Sequence, residues 1–213
     1  MIKKNLKKTF NYFLYSLSLS ILIIFIIPTK SEKVTNIKTN GYELLFDISY
    51  ILNPYNCNQT VIRDTLLFFP EKVSIGDYKC ILEDFHKNNF KKIKIYKNFG
   101  GNGFEAYRIS NFISKNNIEV SIEDYCLSAC AFIFMSSQKP HAEKHSMIGL
   151  HQSNLYKTFP FSDSYMIENF VTIFRTNNSQ FNAHLFNKII EETEYDDIKI
   201  LSFSEMKKKQ LIF

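Results

Sequence analysis

The sequence predicts an α/β domain in which helices pack on a largely parallel sheet, preceded by a membrane-directed N-terminal segment. Three observations carry this expectation. Short apolar runs with strand alternation, such as Ile93-Lys94-Ile95-Tyr96 and Glu119-Val120-Ser121-Ile122, alternate with segments whose apolar residues recur at helical spacing. Glycines punctuate the junctions at Gly76 and Gly100-Gly101. The excess of positive charge is confined to the first 30 residues, in front of an uninterrupted apolar stretch.

The chain has 213 residues, 45% of them hydrophobic, which suffices for one ordinary core and hardly for two. It carries 26 Lys+Arg against 21 Asp+Glu, but the first 30 residues hold five lysines and no acid, so the remainder carries 21 of each. A neutral body offers no electrostatic footprint for a phosphate backbone, and nucleic acid is not an expected partner. Lys3, Lys4, Lys7 and Lys8 precede a charge-free stretch from Thr9 to Thr29 with an apolar core from Leu14 to Ile27. Roughly 20 apolar residues span hydrocarbon as a helix. A cleaved signal peptide is the rival, but cleavage wants small residues before the cut, whereas the chain has Pro28-Thr29-Lys30-Ser31. A retained anchor over residues 1–30 is the preferred reading. The positive-inside rule puts residues 1–8 in the cytoplasm and everything after about Lys30 outside.

Residues 31–59 are rich in Asn, Thr, Lys and Tyr and read as a polar spacer, with an apolar interruption from Tyr42 to Ile51 that would suit one short helix. The compact domain is expected over 60–213. Leu66-Leu67-Phe68-Phe69 reads as a strand ended by Pro70, and Gly76-Asp77 opens a helix with apolar Tyr78, Ile81, Leu82 and Phe85. Ile93 to Tyr96 is a strand, Gly100-Gly101-Asn102-Gly103 breaks it, and Ala106, Tyr107, Ile109, Phe112 and Ile113 mark the next helix. Glu119 to Ile122 is a strand, Ala129 to Met135 a buried helix, and Met147 to Leu150 a strand followed at once by His151. Residues 163–192 read as one long helical region, and the tail from Asp196 adds a short strand and a lysine-rich last turn.

Four cysteines, Cys57, Cys80, Cys126 and Cys130, would lie in a disulfide-permissive compartment under that topology. Three full pairings are open. Cys57 with Cys80 is the preferred pair, because it would staple the spacer onto the first helix; Cys126 and Cys130 read either as small core-facing residues or as a second bridge. No metal or cofactor is expected: the C-x3-C unit has no second close pair, and His141-Ala-Glu-Lys-His145 lacks the order of H-E-x-x-H.

Cys126-Leu127-Ser128-Ala129-Cys130-Ala131 places a serine between a strand and a buried helix, where backbone amides can stabilise a developing oxyanion and substrates reach the sheet edge. On this hexapeptide alone Ser128 reads first as a helix N-cap. A serine hydroxyl needs a base to act as a nucleophile, and His151 arrives 23 residues later at a strand end. The Gly100-Gly101 pair lets backbone approach a substrate and can supply a second N–H donor.

These elements, in this order, resemble the Clp-protease/crotonase-like superfamily, and in particular the predicted periplasmic proteins of that class. The resemblance runs from about Leu66 to Leu211 and rests on Gly76-Asp77, Asn98-Phe99-Gly100-Gly101, Cys126-Leu127-Ser128-Ala129-Cys130, Ile148-Gly149-Leu150-His151-Gln152 and Leu201-Ser202-x-x-Glu205. It implies a ββα-superhelix fold, Ser128 as nucleophile, His151 as general base, Gly101 and Ala129 as oxyanion donors, and an orienting acid at Asp197, with Asp196 as the alternative. Where relatives carry Ser-Pro before the glycine pair, this chain carries Asn98-Phe99.

The function so implied is a membrane-tethered serine hydrolase, a peptidase acting on peptide or protein substrates and assembling with copies of itself. Its place would be the bacterial inner membrane, single-pass with the domain in the periplasm, or the periplasm itself if the signal is cleaved. The alternative on the same fold is a non-catalytic binding or assembly module. An acyl-CoA enzyme would use the paired amides without the serine, but CoA is not expected outside the cytoplasm. A Ser-Lys protease, with Lys188 among its candidate bases, is made unnecessary by His151.

Overall fold

In the computed structural model, three neighbouring parallel strands, β3 (Lys92–Asn98), β4 (Glu119–Leu127) and β6 (Met147–Leu150), form the centre of a seven-stranded sheet. The structure describes Cys57 and residues 59–68, 70–152 and 160–213. The expected anchor over 1–30 and the spacer up to Asn56 lie outside the described residues, and among the described residues no helix is long and apolar enough to cross a membrane.

On one flank, β2 (Thr65–Phe68) joins β3 in parallel and β1 (Thr60–Ile62) closes an antiparallel hairpin onto it. On the other, β7 (Lys199–Ser202) runs antiparallel to β6. The short β5 (Pro140–Ala142) pairs with the start of β4 and β6 with its end, so the two lie in succession along one side of β4. Neither β1 nor β5 is marked in the sequence, because three residues are too few to show a period.

Strand alternation has a structural cause. Ile93 and Ile95 of β3 and Val120 and Ile122 of β4 are fully buried, while the residues between them are at least partly exposed. Parallel sheets are usually covered on both faces and read as continuous apolar runs. Here one face is apolar and the other carries the pairs Lys92–Glu119 at 3.9 Å and Lys94–Glu123.

Among the described residues six helices follow in chain order: α1 (Asp77–Asn88), α2 (Gly103–Asn116), α3 (Ala129–Met135), α4 (Pro160–Asn177), α5 (Ala183–Glu192) and α6 (Phe203–Lys208). The single helical region expected over 163–192 is therefore two helices. Asn178 ends the first by donating its N–H to Phe174 O at 2.8 Å, and Asn182 caps the second by accepting from Leu185 N at 3.0 Å. Asparagine offers the backbone a local alternative to the helix, which is why the break falls between two of them. Phe132 of α3, Phe170 and Phe174 of α4, Phe181 in the break and Phe186 of α5 form one aromatic cluster with ring centroids 4.6–6.4 Å apart. Offset and edge-on aromatic pairs contribute about 0.5–1.5 kcal/mol each beyond their buried area.

The first turns of α1 and α2 share a carboxylate cluster. Asp77 accepts from Ser74 N at 2.7 Å, and Glu105, wholly buried, accepts from Tyr78 N at 3.0 Å. Burial pushes the Asp77 carboxyl up from 3.8 to about 6; the Ser74 amide opposes this and the Glu105 charge adds to it. Because the folded value is the higher one, the native state holds this proton more tightly than the unfolded chain does. Its stabilising contribution is complete below about pH 4 and is lost as pH rises through about 6. Asp77→Asn keeps an acceptor for Ser74 N and removes the titration. By thermal unfolding at several pH values, the variant should gain up to about 3 kcal/mol on wild type between pH 4 and pH 7. A stability difference independent of pH over that range would refute the assignment.

Candidate active site

Because β3, β4 and β6 are parallel neighbours, their C-terminal ends emerge at one edge of the sheet, where α/β proteins bind ligands. β3 delivers the glycine loop, β4 delivers Ser128 and β6 delivers His151.

The glycine loop is tied down by Asn98, whose side chain is buried. Its Oδ1 accepts from Gly100 N at 2.7 Å, and its Nδ2 donates to Pro70 O at 2.8 Å. Asn98 is thus the loop's anchor. Gly100 has φ 88°, and a Cβ there would lie 2.5 Å from Leu127 O and 2.6 Å from Ser128 Cβ. Gly101, at φ 136°, bridges Val73 through its two neighbours: Val73 N donates to Gly100 O at 2.7 Å and Asn102 N to Val73 O at 2.8 Å. In such a parallel bridge the N–H of the middle residue faces away from the partner strand.

Ser128 has φ 56° and ψ −126°, a conformation that a residue with a side chain rarely adopts. Such strain is on the order of 1–3 kcal/mol and persists only where the surroundings over-determine it. Ser128 N donates to Gly149 O at 2.8 Å and Ser128 O accepts from Ala131 N at 2.9 Å, so strand and helix grip it from both sides. The hydroxyl makes no capping hydrogen bond. Ser128 is therefore not a conventional side-chain N-cap. Ala129 opens α3, so its N–H has no partner inside that helix.

His151 is only 9% exposed, and its Nδ1 is buried with no hydrogen-bond partner among the described residues. Nε2 is left as the nitrogen able to face the pocket. The Tyr195 ring packs on the imidazole with centroids 5.6 Å apart, and Gln152 fastens the chain beyond it by donating its N–H to Thr193 O at 2.9 Å. Burial holds the histidine below its ordinary value, and the carbonyls of Tyr195 and Gln152 offset part of that. A ring so placed is neutral at pH 7, as a general base must be.

Ser128, His151, Gly101 and Ala129 all line one pocket of about 330 Å³, whose other walls include Phe104, Phe132, Met166, Ile167 and Tyr195. Asp197 is exposed and its Oδ1 accepts from Ile198 N at 2.8 Å; no hydrogen bond or ion pair joins it to His151. The β6–β7 register, extended by one residue, sets Ile198 level with His151. Asp196 is exposed on the same turn. Tyr195 is the functional neighbour that sequence reasoning missed, since nothing marks a tyrosine in an acidic turn as a histidine's contact. Met166 and Ile167 were visible only as helical apolar positions.

Both cysteine pairs are disulfides. Cys57–Cys80 has its Cα atoms 5.4 Å apart and fastens residue 57 to α1; Cys126–Cys130 has its Cα atoms 5.2 Å apart and straddles Ser128.

No protein-family model and no curated protein matches the chain. Solved structures do. A peptidase from Plasmodium falciparum and a protein described simply as an enzyme each align with TM-score 0.50 at 14% identity, over 68% of this chain and 92% of theirs. At that identity the likeness is one of fold, an α/β architecture shared with a peptidase.

The packing of the glycine loop on the serine turn yields a comparison. At Gly103 an added Cβ would meet only the flexible end of Met166, at 3.0 and 3.1 Å. Gly100→Ala should therefore cost at least about 2 kcal/mol by chemical denaturation, from strain and overlap together, and Gly103→Ala about 1 kcal/mol or less. Equal losses would show that the loop does not press on the serine turn.

Proposed function

We propose that this chain is a membrane-tethered, extracytoplasmic serine hydrolase of the Clp-protease/crotonase-like superfamily, a peptidase acting through Ser128 and His151. One observation carries the reading: the Ser128 hydroxyl caps nothing, stands on a strained strand-to-helix turn, and shares a pocket with a buried histidine held neutral. A serine retained only as a cap would not need that backbone conformation. A peptidase among proteins of similar fold supports the reaction class, and two disulfides fit a compartment outside the cytoplasm.

In the proposed reaction Ser128 Oγ attacks a peptide or ester carbonyl while His151 Nε2 takes its proton. The tetrahedral oxyanion accepts from the amides of Gly101 and Ala129. His151 returns the proton to the departing amine or alcohol, and a water deprotonated by the same ring releases the acyl group. Asp197 is proposed as the orienting acid. With its carboxylate on the Ile198 amide, the resting site is a Ser128–His151 dyad whose ring faces the Tyr195 and Gln152 carbonyls. An acid that reaches Nδ1 only when substrate is bound would complete a triad. That Nδ1 has no partner among the described residues is also the one observation favouring the second reading, a non-catalytic binding or assembly module.

The organisation that goes with the proposal is an anchor or signal over 1–30, a spacer over 31–59 and a hydrolase domain over 60–213, assembled with further copies of itself. A C-terminal reporter active only in the cytoplasm should be silent; a strong signal would overturn the location. With detergent-solubilised full-length chain, Ser128→Ala and His151→Ala should each lower kcat/KM for activated esters and peptides by about 10³-fold or more, with little change in Tm. The rate should rise with pH through a value below that of an ordinary histidine, because the neutral ring is the base. Asp197→Asn should lower kcat severely if the triad forms, and within a few-fold if the dyad suffices. Wild-type turnover no faster than that of Ser128→Ala would leave the binding module.

A further inference from the structure

Among the described residues a strand passes directly into a helix at two serines, and the two behave differently. Ser202, which ends β7 and caps α6, has φ −75° and ψ 161°, and its hydroxyl accepts from Glu205 N in a capping box. Ser128, between β4 and α3, has φ 56° and ψ −126° and caps nothing. Ser202 shows the relaxed solution available to a serine at such a junction. Something must keep Ser128 from adopting it.

The feature present at Ser128 and absent at Ser202 is the Cys126–Cys130 disulfide. Cys126 is immobilised by its strand, paired with Asn98 of β3 on one side and Ile148 of β6 on the other. Cys130 is the second residue of α3, and both cysteines are fully buried. The bridge therefore closes a five-residue ring with Ser128 at its centre, two residues from each sulfur-bearing position.

Resting on the reading of Ser128 as nucleophile, we propose that the Cys126–Cys130 disulfide is the positioning element of the nucleophile turn, holding Ser128 out of the N-cap conformation. A cross-link stabilises by removing loop-closure entropy from the unfolded chain, and that effect shrinks with loop length. With a sequence separation of 4, this bridge has far less of it than Cys57–Cys80, with a separation of 23. Its consequence is local: the intervening residues lose backbone freedom, and the hydroxyl is kept off the helix amides and in the pocket. Gly100, pressed against Leu127 and Ser128, closes the remaining side.

The test uses the full-length chain in detergent, a fluorophosphonate probe and the 13Cα and 13Cβ shifts of Ser128. In Cys126→Ala/Cys130→Ala the rate constant of inactivation should fall at least 100-fold with probe affinity little changed. The Ser128 shifts should move toward those of Ser202, and circular dichroism should stay native. In the control Cys57→Ala/Cys80→Ala the Tm should fall while the labelling rate holds. A substitution-free version starts from that control: dithiothreitol passes two electrons and two protons to the remaining bridge and becomes its own cyclic disulfide. Oxidised glutathione then restores bridge and labelling, leaving two glutathione thiols. Unmoved Ser128 shifts after loss of the bridge would overturn the proposal, whether or not the probe reacts. If the oxidised wild type never labels, the nucleophile reading fails by itself, and the shifts alone decide what the bridge does.

Discussion

The site depends on one constraint, the close approach of the Gly100 backbone to the turn at Ser128. A side chain on residue 100 would overlap Leu127 O and Ser128 Cβ, so the glycine loop and the serine turn form one packed unit. Asn98 holds the loop from beneath, and the Gly149 carbonyl holds Ser128 from the β6 side. The parallel pairing of β3, β4 and β6 brings these three supports to one edge. A site assembled on neighbouring strands is positioned more rigidly than one carried on separate loops.

The arrangement spends stability locally. A serine at positive φ, a buried histidine nitrogen without a partner among the described residues and the desolvated Asp77 carboxyl each oppose folding. An unsatisfied buried polar group alone costs about 1–3 kcal/mol. These features sit against the most densely aromatic part of the core, with Phe132 both lining the pocket and packing into the cluster on α4 and α5. Strain at the edge is tolerated because the helices behind it cannot give way.

Legibility in the sequence followed the physics of each element. Strands β3, β4 and β6 and helix α3 could be read because one covered face leaves a period of two and a fully buried helix leaves an unbroken apolar run. The break at Asn178 to Asn182 was hidden, because Phe174, Phe181 and Leu185 continue helical spacing straight through it. Ser128, His151 and the glycine pair were visible through residue type and order, and Ser128, His151 and Gly101 line one pocket. Two things were not. The positive φ at Ser128 goes with contacts to Gly100 and Gly149, distant in sequence, and with the bridge that spans it, none of which a local pattern reveals. Nor did residue type mark Asn98 as the side chain that holds the glycine loop through two hydrogen bonds. The acid at Asp197 was placed by position alone, and the structure shows its carboxylate on the adjacent amide.

The central claim is that Ser128 is a nucleophile made reactive by His151. Peptide mass spectrometry after treatment with a fluorophosphonate tests it most directly, comparing wild type with His151→Ala and confirming native circular dichroism for both. The account predicts one phosphoryl adduct, on the peptide carrying Ser128, that forms in wild type and is all but absent without the histidine. A folded wild type with no adduct on Ser128, or an adduct that forms equally fast without His151, would contradict it.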